Sequence, residues 1–161
     1  MVEKLTSELF RRVCGQFATG IAIITARDEA GGPHGMTVNS FTSLSLEPPL
    51  VMAAIALSSY QLAVFEESPF FAINILTEDQ RELSDRFARR GEHRFLDVPW
   101  EAGMDGAPLL KDVIATLECR RTAMVDAGDH RVLIGEVHRA IIHRAETKPL
   151  LYFRGRYHGI A

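Results

Sequence analysis

Cysteine is scarce in this chain of 161 residues: there are two, Cys14 and Cys119, and they form no CxxC pair. That excludes a disulfide scaffold and a zinc finger, and the apolar neighbours of each point to a buried free thiol. Long apolar runs are absent too. The best, Leu50 to Leu57, has eight residues, far short of the ~18 of a membrane span. Met1 to Leu9 lacks the apolar centre of a signal peptide, so the expectation is a cytoplasmic protein with no membrane partner. An excess of positive charge is also missing. The net charge is -3 and the pI near 6.1, which argues against a nucleic-acid partner. No GxGxxG, P-loop, HExxH or GxSxG appears, which disfavours a Rossmann dehydrogenase and a hydrolase. The histidines show no metal-ligand pairing: His138 and His143 stand five apart, on opposite faces of a strand.

What is present is ordinary globular material, 47% apolar and 24% charged, without repeats or linkers, so residues 1–161 read as one domain. Residues 7–17 put Leu9, Phe10, Val13, Cys14 and Phe17 on one helical face, with Thr6 or Ser7 as N-cap. Strands are expected at 20–26, 35–46, 50–57 and 70–76. Short helices are expected over 59–67 and from Thr77, where Thr77 and Gln80 have capping-box spacing, to Gly91 at C′. Residues 92–108 read as a long loop pinned by Phe95 and Trp100. Strands at 113–125, 131–142 and 150–157 complete the chain, the first two joined by a hairpin at 126–129. Successive late strands without intervening helices exclude a doubly wound sheet. The fold class is mainly β, an antiparallel barrel of six or seven strands with peripheral helices.

Three segments carry possible chemistry. Thr37 to Ser45 packs six small polar side chains into nine residues; hydroxyls and amides at that density satisfy a polar ligand or, equally, a polar edge strand. Gly128-Asp129-His130 is a good turn, and its histidine could reach a ligand. Arg89 and Arg90, with Arg94 close behind, suit a phosphate or simply a helix C-terminus.

Taken together, the chain resembles the flavin reductase family of FMN-binding split barrels, the small components of two-component flavin-dependent monooxygenases. The resemblance rests on Phe17 to Thr25 (FATGIAIIT), His34 to Ser43 (HGMTVNSFTS), Ser45 to Val51 (SLEPPLV) and Phe71 to Leu76 (FAINIL). It continues through Gln80, Leu83-Ser84, Phe87-Ala88, Gly128 to His130, and Pro149 to Tyr157 (PLLYFRGRY), all in the family's order. It implies a homodimer with flavin near the dimer interface. It also implies an NAD(P)H-dependent reductase passing hydride to FMN or FAD and supplying a partner monooxygenase. Thr37, Val38, Asn39 and Ser40 would contact the flavin ring and ribityl chain, partly through backbone groups. Ser43, Ser58, Ser59 and Arg89 or Arg90 would serve the ribityl and phosphate end. Gly128, Asp129 and His130 would bind NADH or NADPH, with Arg154 nearby and His130 positioning the nicotinamide. No metal is implied. A split-barrel protein holding flavin or haem without turnover, and an oxidase with fixed flavin, are the alternatives.

Overall fold

The computed structural model describes residues 4–91 and 93–161. Twelve strand segments and three α-helices follow in order: α1 (Ser7–Cys14), β1 (Thr19–Gly20), β2 (Ala22–Arg27), β3 (Pro33–Val38), β4 (Thr42–Leu46), β5 (Pro49–Ala56), α2 (Leu62–Glu67), β6 (Phe70–Ile75) and α3 (Arg81–Ala88). Then come β7 (Trp100–Ala102), β8 (Pro108–Leu110), β9 (Ala115–Ala127), β10 (His130–Ile142), β11 (Leu151–Phe153) and β12 (Arg156–His158).

Seven strands form one antiparallel sheet in the order β3-β2-β6-β9-β10-β5-β4. Its two edge strands, β3 and β4, are joined by residues 39–41 alone. Laid flat, six inter-strand spacings would separate those edges by about 29 Å. Three linking residues reach about 14 Å. The sheet must therefore curl until its edges meet without sharing a ladder, which is a split barrel. Ser40 closes the seam: its hydroxyl accepts from the Ala54 N–H at 2.9 Å and donates to the Ala54 carbonyl at 3.3 Å, on β5.

Strand β2 is buried on both faces, so it reads as a continuous apolar run. Ala22, Ile24 and Ala26 join the barrel interior with Val51, Ile55, Phe71, Ile73 and Leu133, and Phe65 of α2 packs into the same cluster. The alternate residues Ile21 and Ile23 face an outer cluster with Leu76, Phe87, Leu110 and Leu150, beneath α3.

Several expectations need correction. The strand expected over 35–46 breaks at 39–41, because the chain must turn from one sheet edge to the other. The strand expected over 150–157 is a hairpin, β11 and β12, turned by Arg154 and Gly155 at φ 50° and 76°. Helix α2 begins at Leu62, not Ser59. Helix α3 begins at Arg81, not Thr77: Thr77 still bridges to Pro149 as an extension of the sheet. The capping-box contact nevertheless forms, with the Thr77 N–H donating to Gln80 Oε1 at 3.0 Å. The helix ends in extended Arg89, so Gly91 is no left-handed cap. The loop expected over 92–108 contains β7, which pairs with β8. Helix α1 stops at Cys14, and Cys14 is exposed while Cys119 is buried. The apolar face of α1 does not enter the core: Phe10 is 58% and Phe17 78% exposed. No helix among the described residues is long and apolar enough to cross a membrane.

Candidate functional site

Gly35 fixes where the site forms. A Cβ there would lie 2.9 Å from the Phe87 ring, so only glycine lets α3 settle onto β3. Two hydrogen bonds then lock the helix down: Thr37 Oγ1 donates to the Ser84 carbonyl at 2.6 Å, and Ser84 Oγ meets the Tyr157 hydroxyl at 2.8 Å. Past the end of α3 the chain folds back over the segment 58–60. The result is a cleft of about 220 Å³ whose walls include Thr37, Ser58, Ser59, Tyr60, Arg90 and Arg94.

This cleft unites three of the segments expected to hold flavin. Thr37 comes from β3, Ser58 and Ser59 from the turn after β5, and Arg90 from the end of α3. Arg89 opens instead toward a neighbouring cleft of about 540 Å³ shared with Arg86, Arg90 and Arg94. Val38 is buried in the barrel core, so only its backbone faces outward. Ser40 commits its hydroxyl to Ala54. Ser43 lies exposed on β4 and lines neither of these clefts. Asn39 is exposed and lines a different groove of about 490 Å³, with Arg154 and residues of α1.

Arg94, a phosphate candidate in the sequence but not among the residues the resemblance assigns to flavin, also lines the cleft. It is 7% exposed and borders three adjoining clefts. Its Nη1 donates to the Gly35 carbonyl at 2.9 Å and its Nη2 to the Arg89 carbonyl. The guanidinium lies over the Tyr60 ring, 4.9 Å from its centroid. Among the described residues no carboxylate pairs with it. Burial lowers its pKa from the ordinary guanidinium value, yet a guanidinium stays charged at neutral pH. A buried cation whose polar partners are carbonyls fits an anionic ligand group arriving from the cleft. Nothing local in the sequence marks its burial, which follows from the fold-back after α3.

Gly128 sits at the tip of the β9–β10 hairpin with φ 63°, which a glycine adopts freely. The Asp129 carbonyl accepts from Leu57 N–H at 2.9 Å, so the tip stands directly beside the Ser58 turn. Asp129 Oδ1 lies 2.7 Å from His130 Nδ1, and that hydrogen bond holds the Asp129 carboxyl below its ordinary pKa, with a smaller contribution from Arg11. Among the described residues no group of three or more His, Cys, Asp or Glu could hold a metal. The donor set is hydroxyls, backbone and guanidinium, which suits a phosphorylated ligand with a polar heteroaromatic ring.

Comparison with known proteins agrees. The flavin reductase like domain family matches residues 14–161. An FMN reductase (NADH) of Agrobacterium fabrum is 46% identical over 94% of this chain and 84% of its own length. A probable flavin reductase of Rhizobium meliloti is 42% identical over 95% of the chain, which spans only half the length of that relative. The crystal structure of nitrilotriacetate monooxygenase component B from Mycobacterium thermoresistibile superposes with a TM-score of 0.91 at 39% identity, covering 96% of this chain and 86% of its own.

Proposed function

Since the chain belongs to the flavin reductase like domain family, we propose that it is an NAD(P)H-dependent flavin reductase of the cytoplasm that supplies reduced flavin to a partner monooxygenase. The observation that carries this reading is the cleft in which Arg90 and buried Arg94 stand beside Ser58, Ser59 and Thr37. Flavin, FMN or FAD, supplies the hydride acceptor when bound, and reduced nicotinamide supplies the donor.

The chain's own residues bind and orient. Arg90 and Arg94 hold the flavin phosphate, and Ser58 and Ser59 donate to it and to the ribityl chain. Thr37, Asn39 and the backbone of 38–40 face the ring. His130, Asp129 and Gly128 at the hairpin tip, with Arg154, position the dinucleotide. None of them needs to move a proton: alignment of two rings in contact accounts for several kcal/mol of barrier lowering. A homodimer is supported by large apolar side chains left open on the sheet, Leu46 at 89% and Ile142 at 72% exposure.

Steady-state kinetics with flavin varied at fixed NADH test the reading, with an acceptor held across a dialysis membrane under anaerobic conditions. Saturable dependence on added flavin, and reduction appearing across the membrane, are expected. Activity independent of added flavin, with reducing equivalents retained on the protein, would instead identify a fixed-flavin oxidase. NADH that leaves bound flavin oxidised would identify a binding protein.

A further inference from the structure

Tyr157 of β12 ends a chain of bonds that begins in the cleft beside α3, yet it lies outside that cleft. Its hydroxyl stands 2.8 Å from Ser84 Oγ. The carbonyl of the same serine accepts from Thr37 Oγ1 at 2.6 Å. Ser84 is fully buried, so one residue of α3 joins β12 on one side to β3 on the other. Phe87 and Ala88 at the end of α3, and Arg90 just past it, wall the cleft together with Thr37. Where that wall lies against Thr37 therefore depends on the β11–β12 hairpin.

Packing explains neither hydroxyl. The Tyr157 ring packs against the outer cluster of Phe87 and Leu150. It meets Tyr152 edge-on, with 5.6 Å between ring centroids, and lies 5.3 Å beneath the Arg81 guanidinium. A phenylalanine would make all of those contacts. Serine within the eight residues of α3 is a weaker helix former than alanine, because its hydroxyl competes for backbone groups. Here that hydroxyl meets Tyr157 instead. Burial raises the pKa of the Tyr157 hydroxyl above its ordinary value, so the group keeps its proton at neutral pH. Thr37 has its own hydroxyl proton committed to Ser84. It can only accept from a ligand in the cleft, and the direction in which it accepts follows from where α3 sits.

We infer that Tyr157 is a positioning residue for the flavin: acting through Ser84, its hydroxyl sets how α3 lies against β3 and so aligns Thr37 with Phe87, Ala88 and Arg90 across the cleft. This rests on the reductase reading above and extends it to a residue that stands outside the cleft.

Tyr157→Phe and Ser84→Ala, alone and together, test the link in the full chain. Each single variant should raise the dissociation constant for FMN about fivefold in equilibrium titration, and the double variant should be no worse than either, because the two hydroxyls form one bond. The visible circular dichroism of bound FMN at saturation should change in all three, a signature that lost stability alone does not move. Tyr152→Phe removes a neighbouring phenol hydroxyl outside this chain of bonds and should bind FMN as the parent does. Unchanged affinity and dichroism in both single variants would overturn the inference. A lowered urea midpoint with both FMN readouts intact would overturn it as well, since the link would then be structural alone. So would losses that multiply in the double variant, because the hydroxyls would then act separately. If Tyr157→Phe does not fold, Ser84→Ala decides by the same readouts. A parent chain that binds FMN but fails to oxidise NADH would remove the reductase reading alone, because affinity and dichroism do not depend on turnover.

Discussion

In the cleft beside α3 the polar groups hang from buried structure: Thr37 bonds the Ser84 carbonyl, and Arg94 is clamped by two carbonyls and the Tyr60 ring. In the groove beside α1 they hang from the surface. Arg11, Cys14 and Asn39 are exposed, and a few contacts from Gly15 and Gln16 to Arg154 hold the wall in place. The first arrangement is preorganised and costs stability if altered. The second costs little to alter. On the proposed reductase reading, holding a flavin in one orientation would call on the preorganised cleft.

The largest effect is expected where the two regions differ most. Arg94→Met removes a cation and strips partners from the Gly35 and Arg89 carbonyls. Loss of two charge-assisted hydrogen bonds should lower unfolding stability by about 2–3 kcal/mol and weaken flavin binding at least tenfold. Urea unfolding and equilibrium flavin titration measure the two effects, and Arg94→Lys serves where the methionine variant does not fold. Flavin affinity unchanged in the lysine and methionine variants alike would remove Arg94 from the site. Arg11→Ala, by contrast, should leave urea stability within about 0.5 kcal/mol of the parent.

The next test concerns neighbours in the chain. Ser40 bonds both backbone groups of Ala54 across the barrel seam, so Ser40→Ala should cost about 1–2 kcal/mol of stability. Asn39 is exposed, and Asn39→Ala should leave stability within about 0.5 kcal/mol while weakening flavin binding. Equal stabilities for the two variants would mean that the seam does not depend on the Ser40 hydroxyl. His130→Ala should act on the other substrate, raising KM for NADH several-fold with flavin affinity unchanged. A collapse of flavin binding there would move the hairpin tip from one site to the other.

These neighbours also show what the sequence could and could not disclose. Strands β2, β5 and β6 are legible because β-branched and apolar residues fill them. The break at 39–41 is not, because Asn39, Ser40 and Phe41 continue a polar strand as well as they end one. The strand order and the Ser40 bond to a residue 14 positions later reveal the seam. The helix starting signal at Thr77 was a true contact in the wrong element, since pairing with Pro149 keeps Thr77 in the sheet. Helix α1 shows an apolar stripe that by composition belongs in a core, and no local pattern says that the fold leaves it outside. The resemblance to flavin reductases named Thr37, Ser58, Ser59 and Arg90, and it is the fold that lines one cleft with them. The burial of Arg94 could not be read that way.

The smallest expected effect lies at the hairpin tip, where a polar pair is held by neither arrangement. The His130 hydrogen bond keeps the Asp129 carboxyl below its ordinary pKa of 3.8. A carboxylate depressed in the folded state contributes stability that is present above its unfolded value and lost as pH falls through the folded one. The parent chain and Asp129→Asn should therefore differ slightly in urea midpoint at pH 5 and above, and the two curves should converge below pH 3.8. Because the group is fully exposed, solvent screening keeps that difference near the limit of detection. NADH affinity should respond more than stability, since losing the carboxylate frees the His130 ring to turn. A large stability difference at neutral pH, with NADH affinity untouched, would make the tip a structural clamp on the Ser58 turn and sever it from the dinucleotide site.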